Sequence, residues 1–448
     1  MSLIKNLQNV ASVAIKDRNF VNHFLTFRQQ RGESISDPDV MAIAGELLSV
    51  AWRKELKKGV SLGKYAEKSM ERLSKKIADE EFETLLQHMY FDSDAKGLFQ
   101  VSPEFMLFKA GSASAGNTRH VGTVLGNMLL SRSEVTPKSP ENLNFLEAEL
   151  IVEFESCVCE LPSSDATEDY LPFMGEVFAE DISLLCQYPE YMMQNLKSFV
   201  GLYNFLYSSQ LAMNLRGWRT EPTSKPLYFI MDTERASSER TYVREALSSL
   251  VDYVHDLFPV LSALEYLNQP DNKEATRYPL WKHYQYVEGV PEKEKSELQR
   301  GLTSFLERYR ATRGRKPWSG ELSTPEDVFK AIVSTANEIF SQPRSSQLTV
   351  NRKVVASFET EVARHFIQNR KRGGRVLIMN QDYLLLLTNL AVGNKEKLQY
   401  QQLIEEFKRR GVWFDQQSQQ ALIEFYERVG NLERMSDSGD AVYVRKTI

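Results

Sequence analysis

The stretch from Asn380 to the C-terminus constrains the fold most, because three helix-length segments there each carry their own start and stop signals. "NQDYLLLLTNLAVGN" opens on an Asn/Asp cap and ends at Gly393. "KLQYQQLIEEFKRRG" closes at Gly411, and "FDQQSQQALIEFYERVG" starts from Asp415 as N-cap and stops at Gly430. Turn chemistry over 437–440 then separates "LERMS" from "AVYVR", and the alternation in the latter reads as one strand of a β-hairpin. Three short-connected helices followed by a two-stranded hairpin is the order of a winged helix-turn-helix, with the hairpin as the wing. Leu432, Met435, Val442 and Val444 are expected to pack the hairpin partly against the helices, since an isolated ribbon is marginal in water.

Upstream, the chain reads as mainly α, a multi-helical region with few strands. Helices are expected from about 17 to 91, where Phe20, Phe24 and Phe27 recur at helical spacing as a core stripe. In "DPDVMAIAGELLSVAWRKELKKG" the Ser36/Asp37 cap and Pro38 predict the start, and Gly59 the stop. Segments 136–144 and 161–172 have loop composition. Helices follow at 173–216, 241–268, 292–313 and 325–340, and "LYFIMDTE" (227–234) stands out as an isolated strand. A chain of 448 residues has room for three units. These are an N-terminal helical region (1–135), a mostly helical central domain (136–345) with its strand near 227–232, and a C-terminal winged-helix domain (346–448). The short linker "SQPRSSQ" (341–347) separates the last two.

Neither a signal peptide nor an apolar run of about 18 residues is present, so a soluble cytoplasmic chain without membrane contact is expected. Cys157, Cys159 and Cys186 are too few for a disulfide framework and lack the spacing of a zinc site, so they read as inert thiols. No cofactor or metal is called for. The chain carries a net charge of −5, yet Lys and Arg outnumber Asp and Glu from residue 351 onward. That asymmetry points the C-terminal unit toward an anionic partner.

Double-stranded DNA is the natural candidate. The helix at about 415–429 would enter the major groove, presenting Gln416, Gln417, Gln419 and Gln420, and Gln can read adenine bidentately. Glu424 and Glu427 on the same helix would repel phosphates. The basic residues flank it: Lys408, Arg409 and Arg410 before it, Arg434, Arg445 and Lys446 in the wing, and Arg370, Lys371 and Arg372 ahead of the first helix. Backbone contact through these flanks is one reading. A neutral glutamine face that docks another protein is the other, and both stay open. "RYRATRGRKPW" (308–318) interleaves cations with Tyr309 and Trp318, as strand-binding grooves do, but a helix end that favours cations explains it better.

Enzyme signals are incomplete. Gly111 to Gly116 has the spacing of a phosphate-binding loop, but Asn117 stands where that loop needs its Lys. Asp232 and Glu234, with Glu239, are candidate metal ligands of a nuclease, with Lys225 and Arg235 near in sequence. The six His residues are scattered, and no complete catalytic constellation emerges.

The segment 409–448, together with "PLYFIMDTERASSER" and "LEYLN" (264–268), resembles the DptG family of DNA phosphorothioation-dependent restriction proteins, the DndG component of the DndFGH set. The resemblance implies a bacterial antiviral defence role alongside two partners, DptF and DptH, to which ATP-dependent motor activity is assigned. Such complexes attack DNA that lacks backbone sulfur and spare phosphorothioate-marked DNA. It brings no catalytic motif to any residue here. The leading expectation is therefore a non-catalytic subunit that scaffolds its partners. The alternatives are a nuclease subunit using Asp232 and Glu234, and a stand-alone winged-helix regulator.

Overall fold

The computed structural model describes residues 6–16, 21, 23–27, 39–77, 80–92, 95–110, 117–130, 143–161, 167–268, 276–435 and 441–448. Helices dominate these residues, and the strands form three small sheets. The first long helix, α1 (Val40–Trp52), begins where Asp39 accepts hydrogen bonds from the Met41 and Ala42 amides, both at 3.1 Å. The expected cap at Ser36/Asp37 lies outside the described residues. Helix α1 ends at Arg53, which adopts a left-handed φ of 52°, and does not continue to Gly59. The reason is tertiary: β1 (Lys54–Leu56) leaves the helix to pair antiparallel with the distant β2 (Val158–Glu160).

Between those strands come α2 (Leu62–Ser74), α3 (Glu80–Tyr90), α4 (Lys96–Val101), α5 (Leu107–Ala110), α6 (Asn117–Leu130) and α7 (Phe145–Cys157). Gly45 of α1 is pressed against α5. A Cβ there would sit 2.4 Å from the Met106 carbonyl oxygen and 2.6 Å from the Ala110 amide, so the crossing requires glycine. Phe24 and Phe27 are buried, but the segment that carries them is not helical. Their rings pack on Tyr170 and Phe358, at 5.3 and 6.2 Å. The apolar spacing reported burial correctly and the wrong backbone, because a bent segment can also bury every third residue. Phe20, residues 136–142 of the first loop and residues 162–166 of the second lie outside the described residues.

The central region holds α8 (Pro172–Cys186), α9 (Pro189–Leu215), β3 (Tyr228–Met231), α10 (Thr241–Val254), α11 (Leu257–Leu267), α12 (Leu280–Gly289), α13 (Glu292–Thr312), α14 (Pro325–Ser341) and α15 (Ser346–Ser357). The 27-residue α9 is apolar on most sides, as a helix inside a core must be, and most of its second half is buried. After α15 come β4 (Ile367–Asn369), β5 (Arg375–Met379), α16 (Gln381–Val392), β6 (Lys397–Gln399), α17 (Tyr400–Arg409), β7 (Trp413–Phe414), α18 (Gln416–Val429), β8 (Leu432–Met435) and β9 (Ala441–Arg445).

The strand expected to be isolated lies inside a four-stranded sheet of order β4-β5-β3-β7. It runs parallel to β5, with Ile230 opposite Ile378, and parallel to β7, with Phe229 opposite Phe414. Ile230, Val376 and Ile378 form a small core with Val243 of α10, while Phe229, Leu377 and Met379 join the main core. A strand covered on both faces reads as a continuous apolar run, which made β3 visible and its partners invisible. This sheet crosses the boundary placed at 345/346, so the C-terminal elements are built onto the central region. Among the described residues no helix is long and apolar enough to cross a membrane.

Candidate nucleic-acid and docking interface

Local sequence signals position α18. Asp415 caps it by accepting from the Ser418 amide at 2.9 Å, and Gly430 ends it in the left-handed conformation. Leu422, Phe425 and Tyr426 face inward, and the Tyr426 hydroxyl lies 2.6 Å from Thr388 Oγ1 of α16. Gln416, Gln417, Gln420, Glu424 and Glu427 are exposed along the opposite side. Gln419 is half-buried, its amide donating to the Phe414 carbonyl at 2.9 Å. The C-terminal strands form a sheet of order β6-β9-β8, and Val444 at its centre is buried. The side chain of Met435 and the turn 436–440 lie outside the described residues.

The cations expected to meet phosphate are largely engaged with carboxylates. Arg410 is not on the surface at all. It is 3% exposed and grips Asp181 of α8 with two hydrogen bonds, 3.0 and 2.6 Å, while also reaching Glu406. Tyr203 donates its hydroxyl proton to the same carboxylate. In this position Arg410 fastens α17 to α8 and has no path to DNA. Lys408 pairs with Glu405 at 2.7 Å, and Arg409 with Glu406 and Glu180. Arg434 pairs with Glu427, and Arg445 with Glu433 at 2.6 Å. Lys446 donates to Tyr188 and to the Gly393 carbonyl, both at 3.1 Å. Arg370 donates to the Asp232 carbonyl at 2.5 Å, Lys371 is exposed, and the Arg372 side chain lies outside the described ones. The positive balance seen in the sequence is thus mostly neutralised in place. Exposed pairs of this kind contribute little to stability, about 0–1 kcal/mol each.

Asp232 and Glu234 are not gathered into a metal-binding group among the described residues. Both oxygens of Glu234 are committed, one to the Met231 amide at 2.8 Å and the other to Arg240 and Ser418. Lys225 precedes β3 and Asp232 follows it, which separates them by about 20 Å of extended chain. Among the described residues no group of three or more His, Cys, Asp or Glu is gathered for a metal ion. What the Glu234 region builds instead is a buried clamp. Arg240, 5% exposed at its side chain, donates to Asp415 through two nitrogens, at 2.8 and 2.6 Å, and also to Glu234 and the Ser418 hydroxyl. It thereby ties the N-terminus of α18 to the loop before α10. Nothing local announces these partners, which lie 175 residues apart.

Burial alone would raise the Asp415 pKa, but hydrogen bonds from Arg240 and the Ser418 amide outweigh it and hold the carboxyl below its usual range. The folded pKa is depressed, so the stabilisation is complete above the unfolded Asp value of about 4 and is lost as the pH falls through the folded one. Asp415→Asn is expected to lower the melting temperature at neutral pH and to flatten its decline in acid. An acid profile matching that of the wild type would contradict the clamp.

The basic stretch 308–318 is structural. Tyr309 and Arg310 are buried, Arg308 bonds the Ala11 and Val13 carbonyls, and Arg310 holds Thr335 and Glu338 at 2.7 and 2.8 Å. The loop from Gly111 to Gly116 lies outside the described residues, and Asn117 opens α6. No family model matches the chain, and no curated protein matches it.

Proposed function

We propose that this chain is a non-catalytic scaffold subunit of a phosphorothioation-dependent DNA restriction complex, with DptF- and DptH-type proteins as its partners. In this reading its C-terminal unit is a winged helix that docks one of them. The observation that carries the docking role is the order α16–β6–α17–α18–β8–β9, with β6 pairing to β9. That arrangement places a short strand between the first two helices and the hairpin after the third, as winged helices do. The resemblance of 409–448 to the DptG family supplies the rest. Protein docking is preferred over reading of duplex DNA because α18 offers glutamine and glutamate to solvent while its flanking cations are largely paired.

Co-purification tests this. The two partner subunits are expected to assemble stably only when this chain is present. Gln417→Glu with Gln420→Glu, which leaves the buried side of α18 intact, is expected to abolish co-elution of one partner. Full assembly without the chain would end the scaffold reading. Steeply salt-dependent duplex binding that those two changes remove would replace docking with DNA contact.

A further inference from the structure

Helix α10 presents an exposed aromatic face close to its N-terminus. Tyr242 there is 72% exposed, more than any other large hydrophobic side chain among the described residues. Its ring stacks on Tyr228 of β3, with centroids 5.3 Å apart and planes 24° from parallel. Tyr228 leans in turn on Trp413 of β7 at 6.2 Å, and the Lys408 ammonium lies 5.3 Å from that indole. The result is a ladder of three rings, anchored at one end by a cation and open at the other.

Two rings of the ladder, Tyr242 and Tyr228, line a groove of about 590 Å³, which Lys225, Glu245, Tyr253 and Arg216 also line. Lys225 is held through its backbone by the Gln210 side chain, at 2.8 and 2.9 Å, and its ammonium has no carboxylate partner among the described residues. At the far end the Arg216 guanidinium lies 4.5 Å over the Tyr253 ring, held by Asp252 and Asp256. An open aromatic face beside an uncompensated ammonium suits a planar base joined to a phosphate. Base–aromatic stacking tolerates any base, because every base has a π-face. A paired base inside a duplex has both faces covered and cannot use the site.

We infer that this groove binds an unpaired nucleotide. The base stacks on Tyr242, the phosphate takes up the charge of Lys225, and Glu245 is the acceptor available to a ring N–H or amino group of the base. A proline-rich peptide is the rival occupant of an aromatic groove, but it would leave the Lys225 ammonium without a counter-charge. The site shares no residue with the glutamine face of α18, so it does not depend on the docking reading.

The test is fluorescence anisotropy of a short labelled oligo(dT) with the full chain, titrated at low salt. The oligonucleotide is expected to bind, and Tyr242→Ala to weaken it roughly tenfold, with Tyr242→Trp restoring affinity. Lys225→Gln is expected to weaken binding and to reduce its salt dependence. Thymidine monophosphate as competitor separates two sources of the same chemistry: displacement means a free nucleotide suffices, and its failure means a strand is required. Wild-type affinity in Tyr242→Ala, equal competition by duplex, or no binding at low salt would each overturn the inference. So would Tyr242-dependent binding of a proline-rich peptide in place of the oligonucleotide. Loss of co-elution in the α18 variants has no bearing on these outcomes, so either idea can fail alone.

Discussion

Arg410→Ala is expected to destabilise the chain by about 3–5 kcal/mol, the cost of removing one partner from a buried ion pair. Arg410 and Asp181 are 3% and 1% exposed, and they join α17 to α8 across 229 residues of sequence. Without the guanidinium, Asp181 keeps only the Tyr203 hydroxyl among the described residues, which cannot replace a bidentate cation. Arg410→Lys should recover little, because an ammonium cannot match the planar fork. Replacing both charges, as Asp181→Leu with Arg410→Met, should recover much of the loss. Urea unfolding measures all three. Arg434→Ala and Arg445→Ala serve as controls and are expected to stay within about 1 kcal/mol of wild type, as exposed pairs do. A wild-type midpoint for Arg410→Ala would show that the clamp carries no stability. The comparison also guards against a false lead, since DNA binding lost in Arg410→Ala would report unfolding and not a phosphate contact.

Mild acid should weaken the fold through His283. This residue is fully buried, and its Nε2 lies 3.0 Å from Asn268 Oδ1. That oxygen also accepts from the Tyr278 amide at 2.9 Å, so the imidazole Nε2 is the donor. Burial pushes the His283 pKa down to about 3. The unfolded chain titrates the same group near pH 6.5. Because the folded pKa is the lower one, stability is fully present above about pH 6.5 and falls by about 1.4 kcal/mol per pH unit below it. By pH 5 the loss attributable to His283 should be about 2 kcal/mol. His283→Phe is expected to be less stable than wild type at pH 7 and to lose that share of the pH dependence. Identical slopes for the two proteins between pH 7 and 5 would sink the assignment.

The helices of the last stretch were legible because caps and stops act within one turn. Asn380, Asp415, Gly393 and Gly430 all mark the helix ends assigned to them. The α1 end was misread for the opposite reason: Gly59 is a good stop signal, but β2 captured residues 54–56 first. Strands β4, β6 and β7 have two or three residues each and no periodicity to detect. Helix α12 was also missed, its segment lacking a clear cap. The candidate interface was legible as a list of side chains and illegible as an arrangement. Arg410 and Arg434 look alike in sequence, yet one is a buried clamp and the other a surface pair. Tyr242 carried no signal at all, because its groove is assembled from α9, β3 and α10.

By itself the sequence determined the mainly helical character, the capped helices from Asn380 onward, the closing hairpin and the one strand apolar on both faces. Each rests on interactions between residues a few positions apart, which composition and spacing record directly. Only the tertiary structure decided which charges are free. It set Asp181 against Arg410 and Asp415 against Arg240, turned Glu234 inward, and left Lys225 beside a stack of rings without a carboxylate partner among the described residues. Ion pairs and strand partners form between groups brought within about 3 Å by folding, and no local pattern encodes which distant residue will arrive.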